Sequence, residues 1–271
     1  MRCIVRMFFP RLLLAVLEFH DQIHKLIGAF TTRRAFTVSH TTQSKTMGYY
    51  AQILSNELLW LGNVMFAYVL FRAARTAPWR GLWRNNEQFN ALVGLSLGVT
   101  GLWLLPVGLR EGLTLHLLGA SLYVLMFDWQ IATLMLTVML VIGLLKNGSD
   151  LMVLGSSGMV LIVLPVMATR LFFHFFQRYG IKSYFSYIWW NGYVCGFFTM
   201  LLVGLSNGLL IAVFGHYSWF TLKQDYLAFL PILSSSESIL TGVFIAGFAV
   251  FLPNAVAYFD QDIYFAKKPP G

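Results

Sequence analysis

Repeated apolar runs of about 20 residues constrain this chain most, because a helix of that length crosses the roughly 30 Å hydrocarbon core of a bilayer. Of the 271 residues, 58% are hydrophobic and only 11% are charged, and the mean hydropathy is +0.67. This composition excludes a soluble globular protein, in which about a quarter of the residues are charged. The runs also lack the alternation of transmembrane β-strands. The sequence therefore predicts an all-α, polytopic integral membrane protein.

Hydropathy predicts about seven transmembrane helices after Met47. The third predicted span is short and the sixth is long, so their boundaries are the least defined. The predicted spans are residues 55–73, 89–109, 113–127, 129–146, 150–177, 184–215 and 225–252.

Residues 1–46 differ from the rest of the chain, because they hold seven basic and two acidic residues and so carry +5 of the net charge of +8. Charged residues and Pro10 interrupt their apolar stretch, which is typical neither of a span nor of a cleavable signal. We interpret this N-terminal extension as a mis-assigned start or a poorly ordered tail, and residues 47–271 as a single transmembrane domain. His20 and His24 in the extension are spaced to share a helix face and could bind a metal, but surface histidines are the commoner case.

The distribution of Lys and Arg favours an N-out, C-in orientation from Met47 onward, because basic loops stay on the inner side of the membrane. Such residues set topology and contact anionic lipid, so the positive charge is no evidence for nucleic-acid binding. Tryptophans beside the loops are typical of interfacial anchors. The inner group is Arg72, Arg75, Arg80, Arg84, Arg170, Arg178, Lys182, Lys267 and Lys268, the outer group is Arg110, Lys146 and Lys223, and the anchors are Trp79, Trp83, Trp189 and Trp190.

Polar residues within predicted spans are candidates for function, because they are costly in a bilayer. His116 could ligate a transition metal such as nickel or cobalt, or bond to a carbonyl of a neighbouring helix. Glu237 could bind a cation, relay a proton or belong to a buried structural network. For Asn191 and Asn207 we expect hydrogen bonds across helices.

Several common features are missing from the sequence. There is no phosphate-binding loop, no H-E-x-x-H zinc motif and no G-x-S-x-G motif. Cys3 and Cys195 are far apart and have no metal or redox spacing. We therefore predict no catalytic residue and no bound cofactor. Three GxxxG pairs, at residues 94–98, 192–196 and 204–208, indicate close helix packing within the chain rather than dimerisation.

Four segments in order resemble the CbiM-type permease family, the substrate-binding components of energy-coupling factor (ECF) transporters for cobalt and nickel. The first reads LHLLGA and continues to LMFD, and the others are a Gly-rich segment, an N-x-x-x-G helix and a C-terminal span with its tail. They are residues 115–128, 146–158, 187–196 and 237–260, and the resemblance covers nearly everything after Met47.

The resemblance implies seven helices, a cation site near the outer side, and two kinds of partner: a transmembrane coupling protein and cytoplasmic ATPases. Only His116 carries over as a metal ligand. Well-characterised members begin with Met-His, which neither Met1-Arg2 nor Met47-Gly48 supplies, and Gly155-Ser-Ser replaces the family's Gly-Ala-Asn. These differences are typical of a divergent branch.

The leading hypothesis is a permease subunit of the bacterial inner membrane that binds a divalent transition-metal cation as substrate and is driven by a separate ATPase. A non-transporting scaffold or regulator that kept the fold and lost the metal site is the alternative. An intramembrane enzyme using His116 and Glu237 is a third hypothesis, which requires the two side chains to come within hydrogen-bond reach.

Overall fold

A computed structural model of the chain describes residues 53–103, 107–110, 113–115, 118–146, 148–215, 219–259 and 264. The N-terminal extension proposed from the sequence, with His20 and His24, lies outside these residues. So do His116 and His216.

The first long helix, α1, spans Asn56–Thr76. Ser55 begins it, since its side chain accepts a hydrogen bond from the amide of Leu58, a common way to satisfy a free helical N–H. Two further helices follow: α2 at Trp79–Arg84 and α3 at Asn86–Trp103. The indole of Trp79 donates to the carbonyl of Ala74, which ties the start of α2 back to the end of α1.

A short antiparallel hairpin separates α3 from the next helix, with strands β1 at Val107–Arg110 and β2 at Leu113–Leu115. The helix α4 then spans Ala120–Lys146 but is broken at Asp128, whose backbone has φ 68° and ψ 167°. Such a conformation is rare for any residue with a side chain. We call residues 120–127 the first arm of α4 and residues 129–146 its second arm.

The remaining long helices contain widened turns. Helix α5 spans Leu151–Tyr179 and is widened at Met159–Val163, and helix α6 spans Tyr184–Phe214 and is widened at Ile188–Val194. A short helix, α7, covers Trp219–Asp225. The last long helix, α8, spans Leu230–Phe251 and is followed by a single turn at Pro253–Ala255.

The all-α membrane fold predicted from the sequence is confirmed. Five helical segments among the described residues are long and apolar enough to cross a membrane. They are Asn56–Thr76, Ala120–Lys146, Leu151–Tyr179, Tyr184–Phe214 and Leu222–Phe251, the last of which includes the end of α7 and all of α8. With α3 and the break that divides α4, the helical segments follow the order of the seven predicted spans. The predicted second span, 89–109, extends too far, because α3 ends at Trp103 and Val107–Arg110 form β1.

The predicted third span, 113–127, is wrong in detail. Residues 113–115 form a strand, residues 118 and 119 are not helical, and the first arm of α4 is about 12 Å long, too short to cross a bilayer. Hydropathy could not detect this, because the segment is equally apolar whether helical or extended. The predicted boundary at residue 128 does match the break.

Glycines bring α6 and α8 into close contact. A Cβ on Gly192 would lie 2.9 Å from the Cα of Gly242, and one on Gly196 would lie 3.2 Å from the Cα of Ser238. A Cβ on Gly204 would meet the side chain of Leu230 at 2.3 Å. The pairs at residues 192–196 and 204–208 therefore pack against other parts of the chain, as the sequence predicted.

The outer surface of the helices is apolar, as expected for a lipid-facing surface. On α1 this face includes Trp60, Val64 and Tyr68, each more than 60% exposed. The four tryptophans predicted as anchors are exposed to between 38% and 66%. His174 is exposed near the C-terminal end of α5.

Candidate functional site

The side chain of Glu237 is buried inside the helix bundle and binds a stretch of backbone from another part of the chain. Its carboxylate accepts hydrogen bonds from the amide of Leu118 at 2.9 Å and from the amide of Gly119 at 2.8 Å, one on each oxygen. The residue is 1% exposed. It lies seven residues after the start of α8, about 10 Å along that helix.

These two amides directly precede the first arm of α4, where the N–H groups of a helix have no partner within it. A carboxylate is well suited to such a position, because it accepts strong charge-assisted hydrogen bonds and interacts favourably with the positive end of the helix dipole. Gly119 has φ +64°, and a Cβ there would lie 3.2 Å from the side chain of Val99. Glycine is therefore required for the backbone to turn towards Glu237.

His116, the metal ligand predicted from the sequence, lies outside the described residues. In the chain it precedes Leu118, one of the two residues held by Glu237, by two positions. Within the part of the chain that the structure describes, no three His, Cys, Asp or Glu side chains are grouped so that they could hold a metal ion. The convergence of His116 and Glu237 that an intramembrane enzyme would need stays a prediction.

Asn191 lies in the widened turn of α6 and is fully buried. Its amide nitrogen donates to the carbonyl of Tyr187 in the same helix at 3.2 Å, and its amide oxygen has no partner among the described residues. The predicted cross-helix hydrogen bond is thus wrong for Asn191, because its side chain points along its own helix to a carbonyl four residues earlier. Asn207 does bond to another part of the chain: its amide nitrogen donates to the hydroxyl of Tyr226, in the turn before α8, at 3.1 Å.

A chain of buried hydroxyl groups joins three helices near the middle of the bundle. Ser121 on α4 and Thr169 on α5 are 3.1 Å apart, and Thr169 and Thr199 on α6 are 3.4 Å apart. The thiol of Cys195 lies 3.7 Å from the Thr199 hydroxyl. The sequence analysis missed this cluster, since isolated Ser and Thr residues are frequent in apolar helices and carry no spacing signal between helices.

Helix α8 presents further polar groups to the interior beside Glu237. The hydroxyls of Ser234 and Thr241 are fully buried and have no hydrogen-bond partner among the described residues. They lie three residues before and four residues after Glu237, so the three side chains share one face of the helix. The helix as a whole is apolar enough in mean hydropathy to cross a membrane, yet the face that carries these three side chains is polar.

Asn63, which the sequence also did not single out, fixes the start of α5 against α1. Its amide nitrogen donates to the carbonyl of Met152 at 2.7 Å, and its amide oxygen accepts from the amide of Gly155 at 3.0 Å. A Cβ on Gly155 would lie 2.3 Å from the Cα of Asn63, so the glycine is needed for this approach. It belongs to the Gly-rich segment noted in the sequence.

The break in α4 is held by the residues that follow α8. The hydroxyl of Tyr258 donates to the carboxylate of Asp128, and the amide of Ala257 donates to the carbonyl of Met126 at 2.9 Å. Burial of the phenol, and then the hydrogen bond and negative charge of Asp128, raise the pKa of Tyr258 above its ordinary value. The Asp128 carboxylate thus accepts hydrogen bonds from the amide of Trp129 and from the hydroxyl of Tyr258, and both help to hold the break in place.

Comparisons with known proteins assign this arrangement to one family. No curated protein and no solved structure matches the chain. A model of the family described as "CbiM: Cobalt uptake substrate-specific transmembrane region" matches residues 50–255, well over half of the chain. The match begins just before α1 and ends in the turn after α8, so it includes Glu237, Leu118 and Gly119. The chain therefore belongs to the CbiM family of cobalt uptake transmembrane proteins.

Proposed function

We propose that this chain is the substrate-binding permease subunit of an energy-coupling factor transporter, and that its substrate is a divalent transition-metal cation, cobalt or nickel. The observation that carries the proposal is the family match over residues 50–255, which includes every long helix of the described fold. The polar interior of the bundle supports a solute-binding role, since buried polar groups in a bilayer are costly to keep without one.

His116 is the proposed ligand from this chain. Imidazole is a suitable ligand for nickel and cobalt, because its nitrogen is of intermediate softness. One imidazole does not complete a coordination sphere. The proposal therefore requires further ligands besides His116.

The proposal includes partners that provide energy. The sequence has no phosphate-binding loop of its own, so a transmembrane coupling protein and cytoplasmic ATPases would drive release of the cation. The proposed location is the bacterial inner membrane, with the start of α1 outside and the turn after α8 inside. In this orientation Glu237 lies in the outer half of the bilayer, on the side from which an imported cation enters.

The test is cobalt and nickel accumulation in cells that depend on this protein for uptake. We expect His116→Ala to abolish accumulation, and His174→Ala to leave it unchanged, since His174 is exposed near the C-terminal end of α5. Each variant must reach the membrane in the amount of the wild type. If His116→Ala accumulated both metals normally, the proposed metal site would be wrong. If the wild-type protein gave no accumulation with its partners present, the scaffold alternative would replace transport.

A further inference from the structure

One face of α6 carries a column of buried polar side chains, from the start of the helix to its middle. The four residues recur every four positions, none is more than 5% exposed, and they are Tyr187, Asn191, Cys195 and Thr199. We call them the polar column. At its deep end the hydroxyl of Thr199 lies 3.4 Å from that of Thr169 on α5, so the column joins the chain of hydroxyl groups in the middle of the bundle.

The half of the polar column near the start of α6 is not satisfied by hydrogen bonds. The hydroxyl of Tyr187 and the amide oxygen of Asn191 have no partner among the described residues. Leaving such atoms buried without a partner is costly, and phenylalanine and leucine would fill the same space without that cost. Few buried polar atoms in native proteins lack a partner, so these two are best explained if they bind water or a polar solute in another state of the protein.

The residues that follow α8 close the polar column at the end where α6 begins. We call residues 256–259 the strap. The ring of Phe259 packs edge-on against the ring of Tyr187, with 5.2 Å between their centres. The ring of Tyr258 stacks on Phe173 of α5 at 4.4 Å, one turn beyond the threonine that meets the column. Aromatic rings of the strap thus cover this end of the column.

The strap is held by hydrogen bonds at the break in α4. The hydroxyl of Tyr258 donates to the carboxylate of Asp128, and the amide of Ala257 donates to the carbonyl of Met126 at 2.9 Å. Both bonds can be exchanged for bonds to water, so release of the strap leaves no polar group unsatisfied. The backbone of Asp128 has φ 68°, and strained residues of this kind persist only where their surroundings hold them and are common in switch regions.

We propose that the strap is a gate on the polar column. In the described state it seals the end of the column at which α6 begins. When the contact between Tyr258 and Asp128 is lost, the strap moves away, and water and a small polar solute reach the buried hydroxyl groups. The inference rests on the proposed function for the identity of the solute, a divalent cation that leaves the bundle by this route. The opening itself does not require that the chain carries a metal.

The thiol of Cys195 is a natural reporter of the opening. The chain has two cysteines, so in a Cys3→Ser background it is the only thiol. The full-length protein is placed in lipid nanodiscs, and the rate of its reaction with a charged, water-soluble methanethiosulfonate reagent is measured. We expect Tyr258→Phe to raise this rate about 10- to 100-fold, because a hydrogen bond to a carboxylate contributes a free energy equivalent to that factor.

Two control variants separate a gate from general loosening of the fold. Tyr68→Phe makes the same chemical change on the exposed surface of α1, where the tyrosine is 63% exposed, and should react at the rate of the background protein. Asn63→Ala removes buried hydrogen bonds between α1 and α5, away from the strap, and should also leave the rate unchanged. An equal acceleration in Asn63→Ala, or none in Tyr258→Phe, would overturn the gate.

A second gate variant and a transport measurement complete the test. Should Tyr258→Phe not fold, Asp128→Asn replaces it, because it weakens the same hydrogen bond from the other side; it should also speed the reaction, and an unchanged rate would overturn the gate. If the wild type accumulates cobalt or nickel in cells while the thiol rates stay equal, only the gate fails. If the rates differ as expected but the wild type accumulates neither metal, the gate is supported and the proposed function fails.

Discussion

The contact between α6 and α8 depends on Gly192, and a single methyl group added there tests it. A Cβ at this position would lie 2.9 Å from the Cα of Gly242 and 2.9 Å from the Cγ2 of Ile245. Both distances are shorter than real Cβ contacts, so one helix must move. Overpacking of this kind costs about 1–3 kcal/mol, partly offset by the gain of up to about 1 kcal/mol when alanine replaces glycine in a helix.

A second glycine provides the matched control. Gly101 is also helical, near the end of α3, and a Cβ there would have no atom within 4 Å. Gly101→Ala therefore has the same helical gain without the clash, and the difference between the two variants isolates the contact. We expect Gly192→Ala to be less stable than Gly101→Ala by about 1–3 kcal/mol, measured by reversible unfolding in mixed SDS micelles. Equal stabilities would refute the close approach of α6 and α8.

Three further predictions concern the described fold and its orientation. Asn63→Ala should lower the free energy of unfolding by about 1–3 kcal/mol, because it leaves the Gly155 amide without its partner; unfolding in mixed micelles measures this. Tyr258→Phe should cost about 1.5–3 kcal/mol by the same assay, since it removes a hydrogen bond to the Asp128 carboxylate. In a variant without other cysteines, a cysteine at Gly81 should react with a membrane-impermeant maleimide only after cells are permeabilised, and one at Ser149 should react in intact cells.

Each of these has a control and a contrary result. Asn90→Ala and Tyr68→Phe change exposed residues of the same types, and both should be close to the wild type. An equally small effect at the buried positions would contradict the hydrogen bonds described there. Labelling at Ser149 only after permeabilisation, with labelling at Gly81 in intact cells, would reverse the proposed orientation.

The long helices were predictable from the sequence because the bilayer imposes a simple requirement of length and apolarity. The break in α4 was predictable for a related reason, since the charged Asp128 divides one apolar run into two. The packing of Gly192 and Gly196 followed from their spacing. In each case, the signal lay within one segment of the chain.

The features that the sequence did not predict depend on contacts between distant segments. The partners of Glu237 are backbone amides, which every residue except proline has, so no residue type marks Leu118 as a donor. The partners of Asn63 are likewise backbone groups, a carbonyl and an amide of α5, so no residue type marks them in the sequence. The strand β2 at Leu113–Leu115 continues into an apolar stretch, and hydropathy alone could not show that these residues are extended rather than helical.

The central claim is that this chain binds cobalt or nickel through a site that includes His116. The most direct measurement is the metal content of the purified protein after exposure to each ion, with His116→Ala measured in parallel. The account predicts one bound cobalt or nickel ion per chain in the wild type and none in the variant. Absence of bound metal from the wild type, or an equal amount in both proteins, would contradict it.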